Sequence, residues 1–428
     1  MGAALLCRDI GAICSLNGRT AKLERVDPDD RARYARYCRA LRGERLPAAI
    51  VDLEALEMNV DRLVAPIRAA GKALRIATKS IRCPDLVDRL LERTRGTAIG
   101  LMTYTAAETA MLAARGHRDL LLAYPTLAAH DLDAMAAANR VAHAALVVDC
   151  IEHVGALAAA AERAGTTVPA VIDVDMSYRP LAHGPHLGVR RSPLRTPEAV
   201  VALAEQIRAR KGLRFDGLLG YEAQIAGVGD AARSAFAANA VKRAIKARSA
   251  PGVRSLRRAC LDALVAHGLA PALVNGGGTG SVAWSAEDQT LTEVTVGSGF
   301  LGPGLFDDYR GLSLAPAAGF ALEVTRRPAG DIYTCSGGGY VASGSPGGDR
   351  LPRPWLPPGM TLLSIEGAGE VQTPVRSREP LALGAPALFR HAKAGELAEH
   401  FNEYVLVRGD GVVARAKTYR GLGHAFLG

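Results

Sequence analysis

From residue 74 onward the chain repeats one pattern of apolar and polar positions. Short apolar runs occupy residues 74–78, 97–103, 120–124, 144–149, 170–176, 217–221, 272–275 and 292–296. Runs of this length without strict polar alternation predict strands buried on both faces. Between most of them lie alanine-rich stretches of helical periodicity, at 105–115, 128–138, 151–165 and 197–210. Ahead of them, 47–53 reads as a short strand and 54–70 as a helix. Val26-Asp27-Pro28-Asp29-Asp30 reads as the capped start of an arginine-rich surface helix that ends near Leu41.

Eight strands alternating with helices predict a parallel sheet covered on both sides. Eight such units in about 230 residues is the size of a TIM (β/α)8 barrel. A doubly wound open sheet shares the alternation and stands as the alternative. After Phe300 the pattern changes to glycine, proline and β-formers, with turn clusters at 336–339, 343–349 and 352–359. Strands are expected at 317–326, 360–365, 387–389 and 404–408, with one charged helix or loop around 394–401. The expected organisation is an N-terminal extension (1–45), a barrel (46–305) and a mainly β C-terminal domain (306–428).

Composition narrows the function without choosing it. With 49% hydrophobic and 22% charged residues the chain has the make-up of an ordinary soluble protein. Its 52 Lys and Arg against 43 Asp and Glu give +9, but the excess is dispersed arginine without interleaved aromatics. That argues against a single-strand stacking platform; the excess itself suits small anionic molecules as well as nucleic acid, and no nucleic-acid partner is expected. The seven cysteines are scattered and form no C-x-x-C pair, so neither a disulfide framework nor a zinc ribbon is expected. The apolar start of the chain is broken by Arg8 and Asp9 and has no basic segment before it, so no leader is expected. No run approaches the length of a membrane span. The expected setting is the cytoplasm.

The chemistry gathers where the predicted strands end, the face on which barrels build active sites. The first run stops at Thr78-Lys79-Ser80, just before a helix that starts near Pro84. A lysine there, desolvated by its neighbours yet reachable, has the chemistry of a Schiff-base former, because burial favours the neutral amine. The third run ends in Tyr124, the fourth in Asp149, the fifth in Asp173 and Asp175, and the sixth in Tyr221-Glu222-Ala223-Gln224. The last two open into Asn275-Gly276-Gly277-Gly278-Thr279-Gly280-Ser281 and Gly297-Ser298-Gly299-Phe300. Closely spaced glycines allow backbone N–H groups to approach a phosphate, and Thr279 and Ser281 add hydroxyls. No G-x-x-x-x-G-K-[ST] occurs, so a P-loop is excluded. A lysine facing a phosphate cradle across a barrel suits pyridoxal 5′-phosphate. The segment from Asp173 to Pro193 carries Arg179, His186, Arg190 and Arg191, any of which either faces that ring or pairs with Asp173, Asp175 or solvent.

Pro47 through Leu56 followed by Ala77-Thr78-Lys79-Ser80 resembles the start of the fold-type III pyridoxal phosphate enzymes, the alanine racemase-like barrels. The stretches His186 to Pro193, Asn275 to Gly280, Gly297 to Phe300, Phe306-Asp307-Asp308-Tyr309, Cys335 to Gly339 and Arg390 to Glu396 resemble the D-threonine aldolase and D-serine dehydratase branch. The resemblance implies Lys79 as the residue covalently bound to cofactor. It implies Gly277, Gly278, Thr279, Ser298 and Gly299 around the phosphate, Tyr221 and Gln224 beside the ring, and Arg190 or Arg191 at its polar edge. It implies a homodimer with shared active sites.

The branch carries a His-x-Cys or His-x-Asp motif that binds a divalent metal. This chain has His391-Ala392-Lys393 in its place, and a protonated ammonium is no ligand. Two readings stay open. Either zinc, manganese or magnesium is held by His391 with Glu396 or His400 substituting, or Lys393 places its charge where the metal sits and His391 is the base on a substrate hydroxyl. The expected reaction is retro-aldol cleavage of a D-β-hydroxy-α-amino acid to glycine and an aldehyde. The alternatives are dehydration to a keto acid and ammonia, racemisation, and a non-catalytic cofactor-binding protein.

Overall fold

The computed structural model describes residues 28–181, 184–233 and 235–427. The start of the chain, expected to hold no leader, and Val26-Asp27 of the expected helix cap lie outside them.

Eight parallel strands close into a barrel in chain order. They are β2 (Ala73–Ala77), β3 (Ala98–Thr103), β4 (Asp119–Leu122), β5 (His143–Val148), β6 (Val168–Asp173), β7 (Leu213–Gly220), β8 (Leu273–Gly276) and β9 (Glu293–Val296). Each coincides with one of the eight apolar runs, and closure through β2–β9 pairing removes the open-sheet alternative. Side chains of a strand alternate between faces. Leu74, Ile76, Leu120, Leu122, Ala144 and Leu146 join the core shared with the surrounding helices. Leu121, Ala145, Val147, Val171 and Leu219 pack with one another in a separate cluster, of which Leu219 faces the barrel's cavity. Both parities are therefore apolar, which is why the runs read as continuous.

The second unit is a nine-stranded sheet ordered β13-β14-β11-β10-β1-β16-β17, with β15 joining β10 and β12. Its members are β1 (Ala48–Asp52), β10 (Ala318–Ala329), β11 (Ile332–Ser336), β12 (Arg353–Leu356), β13 (Thr361–Leu362), β14 (Gln372–Arg376), β15 (Pro386–Arg390), β16 (Glu403–Arg408) and β17 (Gly411–Lys417). Here the structure departs from the expected division. β1, counted with the barrel on sequence proximity, lies between β10 and β16 in this sheet. The helix Pro28–Ala40, counted as an extension, packs Tyr37 and Ala40 on the same sheet against Ile50, Leu388 and Val405. Asp52 then turns the chain back: its carboxylate caps the helix Leu53–Ala69 and accepts from the Tyr37 hydroxyl at 2.8 Å.

The N-terminal end of the barrel is held by ions rather than methyl groups. Fully buried Arg75 on β2 donates from Nε and Nη2 to Glu293 at 2.6 and 2.8 Å and from Nη1 to Asp119 at 2.7 Å. Asn275 also donates to Glu293, at 2.7 Å. Next to this network His143 Nε2 lies 2.9 Å from Asp216 Oδ2, with Nδ1 facing Asp119. The two carboxylates raise the His143 pKa to about 9, against the opposing effect of its burial. A folded pKa above the unfolded value means this contribution is complete below about pH 6.5 and is lost as pH climbs through 9. Thermal unfolding of wild type and His143→Gln is therefore expected to show a stability gap near neutrality that closes on the alkaline side of pH 9.

Candidate active site

The strand β2 ends in a single 3-10 turn, Thr78–Ser80, because the Thr78 hydroxyl donates to the Met102 carbonyl on β3 and its carbonyl accepts from Ile81 N–H. The turn presents Lys79 to a cavity of about 250 Å³ at the C-terminal ends of the barrel strands. Lys79 is exposed rather than desolvated. Its ammonium donates to the Tyr124 hydroxyl at 2.9 Å. Arg191 turns into the same space, its guanidinium 5.2 Å from the Tyr124 ring centroid and 5.1 Å from that of Tyr221. Lys393 completes the cationic side, and among the described residues lining the cavity there is no Asp or Glu.

Tyr124 reports this charge. Burial alone would raise its pKa, but Lys79 and Arg191, helped by Lys393, bring it below the ordinary tyrosine value. Tyr221, half-buried beside it, is instead raised to about 12 by desolvation. Asp173, at the end of β6, is raised to about 7 by burial, with Arg191 opposing and Asp149 and Asp175 reinforcing. Asp175 is a structural anchor: it accepts from Arg179 at 2.7 Å and Arg195 at 2.5 Å. Of the arginines singled out in the sequence, Arg179 thus pairs with a carboxylate, Arg190 is exposed and lines no part of the cavity, and Arg191 alone faces it.

The glycine wall is built from below. Glu222 and Arg257, both fully buried, meet at 2.5 Å, and Arg257 also reaches Asp288 at 2.8 Å. Glu222 accepts from Ser281 at 3.0 Å, Ser285 at 2.8 Å and Gly277 N–H at 3.2 Å. Gly278 N–H donates to Ser281 Oγ at 3.2 Å, and Gly299 N–H to Thr279 Oγ1 at 3.0 Å. Three amides assigned to a phosphate by the sequence reading are thus committed inside the protein, and Gly299 lies off the cavity lining. Gly276, Gly277, Gly278, Thr279, Gly297 and Ser298 do line it. Gly277, at φ +87°, holds a left-handed turn that favours glycine. A Cβ on Gly278 would press on the Tyr221 ring at 3.3 Å. Ser80 and Ser298 face each other at 2.9 Å, which puts hydroxyls where amides were expected. Gln224 is likewise displaced from its expected place: it is buried and donates to the Met176 carbonyl at 2.7 Å.

The second sheet closes one side. Gly395, at φ +100°, comes so near the Lys79 carbonyl oxygen that a Cβ there would collide with it. Arg82 donates from Nε to that same carbonyl at 2.9 Å and from Nη1 to Glu399 at 2.5 Å. His391, expected as a base or metal ligand, is absent from the cavity. Its Nδ1 lies 3.1 Å from the Ala318 carbonyl, its Nε2 is enclosed without a partner, and burial with Arg390 nearby lowers its pKa to about 3. Glu396 accepts from Ser343 N–H at 2.9 Å and from the Ser343 hydroxyl. His400 lies against the Tyr340 ring, centroids 4.9 Å apart. His391, Glu396 and His400 do not converge into a ligand set among the described residues. The group that does, Asp149, Cys150 and His153, lines no part of this cavity.

Residues 51–303 match the family described as alanine racemase, N-terminal domain. The chain belongs to that family. Within this alanine racemase family it is 27% identical over 253 residues to the 3-hydroxy-D-aspartate aldolase of Paracoccus denitrificans (strain Pd 1222), covering 59% of either chain. The match thus spans less than two thirds of that relative. The fold resembles the D-threonine aldolase from Filomicrobium marinum, with TM-score 0.75, 21% identity, and 88% of this chain and 95% of that one covered. It also resembles the D-threo-3-hydroxyaspartate dehydratase from Delftia sp. HT23, with TM-score 0.68, 20% identity, and 89% and 98% covered.

Family membership implies pyridoxal 5′-phosphate. The donor set fits it: a primary amine, two further cations, the hydroxyls of Ser80, Thr279 and Ser298 and a glycine wall, with no acid among the described lining residues to oppose an anion. A divalent metal does not fit, for want of a carboxylate, imidazole or thiol among the described residues that line the cavity. The wall itself is testable. Glu222→Ala leaves Arg257 buried with one of its two carboxylates gone, and loss of one partner of a buried pair costs about 3–5 kcal/mol. Chemical denaturation is expected to show that loss.

Proposed function

We propose that this chain is a pyridoxal phosphate-dependent aldolase that cleaves, or in reverse forms, a D-configured β-hydroxy-α-amino acid, giving glycine and an aldehyde. The observation that carries the reading is the Lys79 amine held 2.9 Å from the Tyr124 hydroxyl in a cationic, glycine-walled barrel cavity. The aldolase relative from Paracoccus supports the reaction class.

When bound, the cofactor supplies an aldehyde for amines and a ring that accepts the electron pair released at Cα. Lys79 is the residue that would hold it covalently. Ser80, Thr279 and Ser298 would hold the phosphate with their hydroxyls, and Arg191, braced between two tyrosine rings, would hold the polar edge. The substrate hydroxyl needs a base. His391 is buried away from the cavity, and Tyr124 is the phenol whose proton the surrounding cations make easiest to lose. Ionised, the Tyr124 phenolate would take the hydroxyl proton, and the Lys79 amine beside it would return a proton to Cα to complete glycine. A base on that hydroxyl drives carbon–carbon cleavage rather than loss of the hydroxyl, which favours aldolase over dehydratase. Two copies pairing head to tail would close the open mouth over Lys79. The described cysteines are all free, consistent with a cytoplasmic setting.

Two measurements test this. Purified enzyme given D-threonine or a D-3-hydroxy dicarboxylic acid is expected to yield glycine and an aldehyde; ammonia with a keto acid would establish the dehydratase instead. Lys79→Ala is expected to lose the visible absorbance of the lysine-bound cofactor together with turnover. Tyr124→Phe is expected to keep the absorbance and lose roughly 10²–10⁴-fold in rate, the usual contribution of a general base.

A further inference from the structure

The stretch His391-Ala392-Lys393 sends its two polar side chains to different places. His391 faces a second cavity of about 10 Å³ shared with Tyr340, Glu396 and His400, whereas Lys393 also lines the large cavity that holds Lys79. The Lys393 ammonium is anchored at the rim between the two cavities: it donates to Ser343 Oγ at 3.0 Å and lies 3.6 Å from Glu396 Oε1. Ser343 in turn donates to Glu396 through both N–H and hydroxyl. The carboxylate that could have replaced a missing metal ligand is thereby engaged in holding the lysine.

We infer that this chain carries no divalent metal at its cavity and that the Lys393 ammonium is the fixed positive charge facing the substrate's β-oxygen. A structural zinc takes four ligands, and magnesium or manganese more oxygen donors than that. Among the described residues the small cavity's His391, Glu396 and His400 do not converge into a ligand set, and the lining of the large cavity has no carboxylate, imidazole or thiol. Lys393 borders the same cavity as Lys79 and Tyr124, and its charge is among those that favour the ionised Tyr124 phenol.

The role assigned to the charge rests on the aldolase reading. As the O–H bond of the substrate breaks, its proton passes to Tyr124 in the phenolate form that the cations favour, the C=O bond of the aldehyde forms, and the Cα–Cβ bond breaks with its electron pair leaving on the amino-acid fragment. Negative charge grows on the β-oxygen before the carbonyl is complete. A pre-placed ammonium stabilises that charge as a Lewis-acidic ion would, without the pH-dependent ligand deprotonation that metal binding requires.

Elemental analysis of the purified holoenzyme tests the metal half directly and does not depend on which products form. The expected result is no stoichiometric zinc, manganese or magnesium associated with His391, with metal content identical in wild type and His391→Ala. Turnover is expected to survive dialysis against a chelator. Lys393→Met is expected to keep the cofactor absorbance and the unfolding midpoint of wild type while kcat falls about 10²–10³-fold, the cost of removing one transition-state donor. An ion that leaves with His391→Ala, turnover that chelation abolishes and the ion restores, or full turnover in Lys393→Met would each overturn the inference. Failure of the aldolase reading would show separately, in the product assay.

Discussion

The carbonyl oxygen of Lys79 is where the two halves of this protein are pinned together. Arg82 donates to it and to Glu399 of the second unit, while Gly395 rides directly over it. Arg82 itself sits at φ +49°, a left-handed conformation unusual for a side chain of its size, and its guanidinium lies over the Tyr104 ring. The backbone of Lys79 is thus fixed from both sides, while its amine extends into the cavity to the Tyr124 hydroxyl. Lys393 and Ala394 can line the cavity because the segment carrying them is anchored one residue later on that same turn.

A second constraint runs through the barrel's interior. Ion pairs stand at both levels, Arg75 with Glu293 and Asp119 near the base and Arg257 with Glu222 and Asp288 under the glycine wall. Buried pairs are poor sources of stability because desolvation offsets their attraction. Their value here is positional. Each carboxylate spans several strands or loops: Glu222 alone orders the end of β7, the loop after β8 and the residues Ser281 and Ser285. An apolar filling of equal volume would pack as well but would leave the glycine loop free to choose among conformations.

Much of this is legible in the chain. All eight barrel strands follow from apolar runs, and Lys79 stands out because a lone lysine closes the first of them. The parts that are not legible depend on partners distant in sequence. Nothing local to Gly277 says that its N–H is engaged by a carboxylate from Glu222, and nothing at His391 says that its ring faces the Ala318 carbonyl across the sheet. Tyr124 ends an apolar run as plainly as Lys79 does, yet its importance comes from three cations brought by β2, the loop after β6 and the second sheet. The strands β11, β12, β14 and β17 are missed for a related reason: each mixes buried with partly or fully exposed positions without a continuous apolar run, and they gain their identity from pairing rather than from pattern.

The place of β1 has an outcome for biosynthesis. It is made before the barrel, yet its neighbours in the sheet are β10, some 270 residues downstream by its register, and β16 later still, with Ala49 opposite Phe320 and Tyr404. While the ribosome is still producing the barrel, this early strand has two bare edges of unpaired amides and carbonyls, the kind of surface that recruits strands from other chains. The nascent polypeptide must therefore shelter an apolar ribbon until β10 and then β16 have been made, and only their pairing covers it.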